Sequence, residues 1–168
     1  MLTLTLACAA YDRTRPRIDG RVAIEGVGLQ TTTLHPEAAF ARAKAAEFDL
    51  TELSLSGYLR SLEAGNPAYV ALPIFPSRAF RHSGIYVHAG KGIRFPADLR
   101  GRIIGTPDYK TTANVWIRAF LAHDHGIQPH EMQWVEAAME AGEPGPAAAT
   151  AIPGVPILAL PDQDLAGM

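Results

Sequence analysis

Residues 24–53, IEGVGLQTTTLHPEAAFARAKAAEFDLTEL, are the stretch on which the fold turns. Ile24 to Leu34 is rich in Val, Leu and Thr, which suits the half-buried pleated surface of a β-strand. His35-Pro36 ends that strand. Proline at a first helical turn, with Glu37 behind it, is a helix start, and Ala38 to Glu47 consists mostly of good helix formers. Phe48 to Leu53 then reads as a second, short strand. Strand, helix and strand in this order and at this spacing predict a parallel βαβ unit, and so an α/β fold.

Working outward toward the N-terminus, Leu2, Leu4 and Leu6 alternate with threonines and lead into Ala7 to Ala10. This predicts a first strand, buried at its far end. It stops at Tyr11-Asp12-Arg13-Thr14-Arg15-Pro16. Ligands of open α/β sheets bind beyond the carboxyl ends of strands, which makes Asp12 and Arg13 candidate site residues. An Asp-Arg pair capping the following helix explains them equally well.

Downstream, Ser54 or Ser56 caps a helix through Gly57 to Leu62 that Gly65-Asn66-Pro67 terminates. Tyr69 to Ile74 predicts a strand. It delivers the chain to Phe75-Pro-Ser-Arg-Ala-Phe-Arg-His-Ser83, in which nine residues carry two guanidinium groups, an imidazole, two hydroxyls and two phenyl rings. Arg78 and Arg81 offer planar forks of donors that match a carboxylate. His82 can carry a proton near neutral pH, Ser77 and Ser83 can hydrogen-bond, and Phe75 and Phe80 can wall a flat organic ligand. The plainer reading is a solvated turn.

Gly84 to His88 predicts a strand and Ala89 to Gly92 a turn. A short strand, Arg102 to Gly105, feeds Thr106 to Thr112, which opens a strong helix over Ala113 to His123. A strand leading into a hydroxyl-rich helix start can cradle an anion, because unpaired N–H groups and the helix dipole both favour negative charge. Simple N-capping accounts for Thr111 and Thr112 as well. His123, Asp124 and His125 are one and two residues apart and do not share a helix face, so they predict a helix end at Gly126 rather than a metal site. Met132 to Val135 reads as a strand, the Ala, Gly and Pro of Ala141 to Pro153 as a mobile loop, and Val155 to Leu160 as a last strand. Asp162 looks like the start of a helix that Met168 leaves unfinished, which reads as a truncated chain.

The 168 residues carry a net charge of -2 and contain no basic run, so a nucleic-acid partner is not expected. The single cysteine, Cys8, excludes an internal disulfide and a cysteine-based metal cluster, and its apolar setting reads as core. No apolar run is long enough to span a bilayer, and the N-terminus lacks a basic leader, so the expected setting is the cytoplasm. His-Glu-x-x-His, P-loop, Gly-x-Ser-x-Gly and Gly-x-Gly-x-x-Gly patterns are all missing, and neither a metal nor a cofactor is expected.

Several pieces of the chain together resemble one family. Tyr11-Asp12-Arg13-Thr14, Glu25-Gly26-Val27, Phe48-Asp49 with Glu52 to Ser56, Phe75 to Arg78 with Phe80 to Ser83, and Tyr109 with Thr111-Thr112-Ala113 and Val115-Trp116 are similar to the 4,5-dihydroxyphthalate decarboxylase family, relatives of the type 2 periplasmic solute-binding proteins. The resemblance runs from near the first residue to about Trp134. It implies two α/β lobes with parallel-dominated sheets and a ligand cleft between them: residues 1–83 as the first lobe, 84–90 as a crossover strand, and 91–168 as an incomplete second lobe. It also implies cleavage of an aromatic dicarboxylate to protocatechuate and carbon dioxide without a cofactor. Arg78 and Arg81, with Thr111 and Thr112, would hold carboxylates, and His82 would donate the proton. Arg13 or Asp12 would address the catechol hydroxyls, and Phe75, Phe80 and Tyr109 would wall the ring. Two other readings stay open. One is a binding module that closes on an aromatic carboxylate without chemistry; the other is an inactive fragment, or one that depends on forming a homo-oligomer.

Overall fold

The computed structural model describes residues 1–168, which divide into two compact units, Met1–Ala79 and Phe80–Met168. Each is built on a three-stranded parallel sheet.

In the first unit the alternating leucines form β1 (Leu2–Cys8), the central strand. A single helical turn, α1 (Arg15–Ile18), follows it. The 24–53 stretch forms β2 (Val27–Thr33), α2 (Pro36–Ala43) and β3 (Leu50–Thr51), with Pro36 at the helix start as its sequence requires. Leu2 pairs with Val27 and Cys8 with Thr33 on one side of β1, and Leu6 with Leu50 on the other, giving the order β2-β1-β3. Helix α2 turns only Ala39 and Ala43, one helical turn apart, into the core. With Ala7, Cys8 and Phe48 they make up the buried apolar side chains of this unit. Arg42 covers the Phe48 ring from 4.6 Å while pairing with Glu47.

Ser54 caps α3 (Leu55–Glu63), accepting from the Gly57 N–H at 3.4 Å. Leu55, Leu59 and Leu62 line one face of this helix and are all exposed, and no residue of α3 is buried. The strand predicted over Tyr69 to Ile74 is not formed. Pro67, Pro73 and Pro76 punctuate this segment, and proline cannot donate to a sheet ladder. Val70 is accordingly 87% exposed and Ile74 68%. Two phenols fasten the segment instead: Tyr69 donates to the Phe48 carbonyl at 2.9 Å, and Tyr58 accepts from the Ala71 N–H at 3.2 Å.

In the second unit the strand predicted over Gly84 to His88 is likewise not formed. Arg81–Gly84 takes a 3-10 turn, in which the Ser83 hydroxyl returns to the Phe80 carbonyl at 2.9 Å. A side chain bonding three residues back offers the backbone an alternative to a ladder. The sheet comprises β4 (Ile103–Thr106), β5 (Gln133–Ala138) and β6 (Ile157–Asp164), in the order β4-β5-β6. Residues Trp134 to Ala138 are buried without interruption, as a central parallel strand covered on both faces must be. Helix α4 (Thr112–His125) connects β4 to β5 and stops at Gly126, whose φ of 65° is the left-handed cap that glycine adopts without strain. Leu99, Tyr109, Leu121, Ile127, Met132 and Trp134 form the hydrophobic core, with the Trp134 indole N–H donating to the Pro129 carbonyl at 2.9 Å.

The helix predicted from Asp162 is replaced by strand, because β6 continues to Asp164. The register shifts at Ala137/Ala138, so that Ala138 pairs with Asp164, and the Leu165 N–H extends the ladder to the Ala138 carbonyl at 2.9 Å. A bulge on an edge strand lets β6 carry Pro161. Residues 141–153 are tied down at both flanks. A side chain at Gly145 would come within 2.5 Å of the Pro161 carbonyl oxygen, and Thr150 is buried against β5.

Candidate functional site

Both units gather polar groups at the carboxyl ends of their strands, the edge where open α/β sheets take ligands. In the first unit β3 runs directly into Glu52, which is only 8% exposed. Its N–H bonds the Ala7 carbonyl at 3.0 Å, and its Oε1 accepts the Ala9 N–H at 2.8 Å, so the carboxylate is clamped to the end of β1. The chain then turns sharply, with Thr14 Oγ1 accepting from the Tyr11 N–H at 2.9 Å and donating to the Ala9 carbonyl at 2.7 Å. This turn brings the Tyr11 phenol to Glu52 and Ser77. Burial raises the Tyr11 pKa most, the Ser77 hydrogen bond opposes that, and the charge and hydrogen bond of Glu52 add to it. Burial, with the nearby Glu52 charge, also pushes the Cys8 thiol up, which suits a core residue and not a nucleophile.

Arg13 lies 6.0 Å from the Tyr11 ring and donates to the Pro76 carbonyl, fixing the start of the Phe75–Ser83 stretch beside Tyr11. Arg78 Nε donates to the Phe75 carbonyl at 3.2 Å, and Phe75 and Arg78 are both exposed. Asp12 is exposed.

In the second unit β4 ends at the buried Thr106 and leads into the α4 start. Thr111 is the N-cap, accepting from the Asn114 N–H at 3.4 Å. The Asn114 amide donates to Thr106 Oγ1 and, at 2.6 Å, to the Asp108 carbonyl. Thr112 opens the helix proper, half-buried. Tyr109 is buried in the core cluster, edge-on to Trp134 at 5.0 Å and 86°. Arg118 covers its ring at 3.7 Å and donates to its carbonyl at 2.6 Å. Burial lowers the Arg118 pKa, with Tyr109 and Asp108 opposing, and no carboxylate forms an ion pair with this guanidinium. From the middle strand, Glu136, 2% exposed, accepts the Tyr109 N–H at 2.7 Å, the Thr150 N–H at 2.7 Å and the Thr150 hydroxyl at 2.8 Å.

His82 stacks flat on Phe120 of α4, with centroids 3.8 Å apart and planes at 8°, and Trp116 lies 6.0 Å beyond. Arg81 beside it is half-buried, whereas Ser83 and Phe80 are exposed, Phe80 by 85%.

The predicted residues thus fall into separate groups. Arg13 and Ser77 meet around Tyr11, and Phe75 and Arg78 share the adjoining loop. Thr111 and Thr112 form the α4 start, near which Tyr109 is packed inward, and His82 with Arg81 lies against the α4 side chains. Sequence reasoning missed Glu52, Glu136, Asn114 and Arg118. The two glutamates left a trace, since a carboxylate inside an apolar strand run has to be hydrogen-bonded wherever it is buried. No group of three or more His, Cys, Asp or Glu side chains is positioned to hold a metal ion, and no helix is long and apolar enough to cross a membrane.

No family model matches the chain. Two curated relatives do. A 4,5-dihydroxyphthalate decarboxylase of Comamonas testosteroni is 49% identical over 140 residues, covering 83% of this chain and 42% of the relative. Another, of Pseudomonas putida, is 46% identical over 140 residues, covering 83% of this chain and 54% of the relative. The chain therefore spans about half the length of the curated relatives it matches.

Proposed function

We propose, from the similarity to two curated 4,5-dihydroxyphthalate decarboxylases, that the chain belongs to their family and takes part in the non-oxidative decarboxylation of 4,5-dihydroxyphthalate to protocatechuate and carbon dioxide. The observation that carries this reading is the 49% identity over 140 residues. With it goes a fold of the type 2 periplasmic-binding-protein kind. We place the reaction in the cytoplasm.

Each ring carbon bearing a carboxylate in this substrate lies para to a hydroxyl. The hydroxyl oxygen pushes an electron pair into the ring while that carbon accepts a proton. The bond to the carboxylate then breaks, its electron pair restores the aromatic ring, and carbon dioxide leaves. The protein has to orient the ring, deliver the proton and exclude water. His82 is the proton donor in this reading, held flat by Phe120. Arg81 and Arg78, with Thr111 and Thr112 at the α4 start, hold the carboxylates. An arginine gripping the departing carboxylate would oppose its loss of charge, so these residues serve the group that stays. Arg13 and Asp12 address the hydroxyl side, and Phe75, Phe80 and Tyr109 contribute aromatic surface.

The test is to incubate the purified chain with 4,5-dihydroxyphthalate and follow protocatechuate release and ligand binding together. His82→Ala is expected to lower turnover about 100-fold or more while leaving binding in place. Unchanged turnover removes His82 from the chemistry. Binding without turnover in the unaltered chain replaces the decarboxylase reading with that of a binding module.

A further inference from the structure

We infer that Phe120 is the positioning residue for the His82 imidazole, holding it so that a ring nitrogen meets the face of the aromatic ligand edge-on; this rests on the decarboxylase reading. The 3-10 turn Arg81–Gly84 closes on itself through the bond from the Ser83 hydroxyl to the Phe80 carbonyl, and it lies against α4, where a side chain at Gly84 would touch Ile117 at 3.7 Å. Ile117 and Phe120 are three residues apart and share one helix face. There His82 stacks on the Phe120 ring at 3.8 Å and 8°, and Trp116, one turn back on α4, lies 6.0 Å from the same ring. Neither nitrogen of the imidazole has a hydrogen-bond partner in the protein, and neither is buried. A histidine is often oriented by a hydrogen bond at its second nitrogen. Here the phenyl ring takes that part, and both nitrogens stay open.

That geometry fits the delivery of a proton to carbon. A ring carbon accepts a proton through the π lobe on its face, along a line perpendicular to the ring, whereas the imidazole N–H lies in the imidazole plane. The ligand ring therefore stands across the imidazole plane, and so across the Phe120 ring that lies within 8° of it. As the C–H bond forms, the N–H bond of the imidazolium breaks, and the carbon becomes tetrahedral with its carboxylate turned to the face away from His82. The C–C bond then breaks, its electron pair restores the ring, carbon dioxide leaves, and the open imidazole takes its next proton from water. One proton is consumed for each carbon dioxide released. An imidazole swung off the phenyl ring would misaim its N–H without losing it, and a misplacement of about 1 Å costs on the order of 100-fold in rate.

The experiment compares the unaltered protein with Phe120→Leu and Phe120→Tyr, measuring kcat and KM for 4,5-dihydroxyphthalate and the proton NMR signals of the imidazole, which are assigned by their loss in His82→Ala. Stacking on a phenyl face moves the carbon-bound protons of His82 upfield through the ring current. That shift is expected in the unaltered protein and in Phe120→Tyr, which keeps an aromatic ring there, and its loss is expected in Phe120→Leu. Phe120→Leu should lower kcat about tenfold or more with KM held within about twofold, and Phe120→Tyr should restore kcat. Imidazole protons without an upfield shift in the unaltered protein overturn the inference whether or not the leucine variant folds. An unchanged kcat in Phe120→Leu, or a fall matched by a rise in KM, also overturns it and leaves the decarboxylase reading standing. An unaltered protein without turnover overturns that reading and the role of Phe120 with it, while the stack itself stays visible in the NMR signals.

Discussion

Two buried glutamates do most of the organising at the level of single residues. Glu136 collects three donors from two different loops, and these bonds set where Tyr109 and the α4 start lie. Removing its side chain by Glu136→Ala orphans the Tyr109 N–H together with the N–H and hydroxyl of Thr150. A buried donor left unpaired costs about 1–3 kcal/mol. Urea unfolding of the variant should therefore show a loss of several kcal/mol, and an unshifted midpoint would mean that water replaces the carboxylate. Neither glutamate was legible as a site residue. The Arg, His and Ser of Phe75–Ser83 are clustered in the sequence, whereas Glu52 and Glu136 each stand alone in strand-like runs and acquire meaning only once the parallel register brings distant loops to them.

Elements whose ends carry their own stop and start signals were the readable ones. Pro36 opened α2, Ser54 capped α3, Thr111 capped α4 and Gly126 closed it, because a cap is a local hydrogen bond that needs no distant partner. Strands lack that autonomy. Tyr69 to Ile74 and Gly84 to His88 have strand-like composition but no neighbouring strand to pair with, and β6 outran its expected end because a bulge carried it past Pro161. Pairing also makes one element junction sensitive to acid. The Thr5 N–H and hydroxyl of β1 donate to Asp49 Oδ2 at 2.8 and 2.7 Å, just ahead of β3, and these bonds hold the Asp49 carboxyl below the usual aspartate range. A depressed folded pKa gives stability that is present above the unfolded value, about 3.9, and lost as pH falls through the folded value. Stability should thus decline on acidification below about pH 4, and Asp49→Asn should flatten that decline in an acid titration followed by circular dichroism. An identical slope in the variant would assign the acid sensitivity elsewhere.

For the whole molecule, the weight of the apolar core lies in one place. Leu99, Tyr109, Leu121, Ile127, Met132 and Trp134 all belong to Phe80–Met168, while Met1–Ala79 buries three alanines, one thiol and the Phe48 ring. Larger buried side chains remove more apolar surface from water, so the first unit is the more weakly held. Native-state hydrogen exchange should find β1 to β3 opening at lower free energy than β5; equal protection in both would contradict this ranking. The α/β class was visible from residues 24–53 because strand and helix periodicity are local. The division of stability was hidden, since it depends on which side chains finally meet. One consequence reaches into how occupancy can be read. Calorimetry of such a chain should show a lower and an upper melting step, so that no single Tm describes it. A ligand whose contacts all lie within Met1–Ala79 would stabilise the lower step by about 2.7 kcal/mol at a hundredfold excess over Kd. The upper step would stay where it was, and the gap between the two would act as a built-in gauge of ligand.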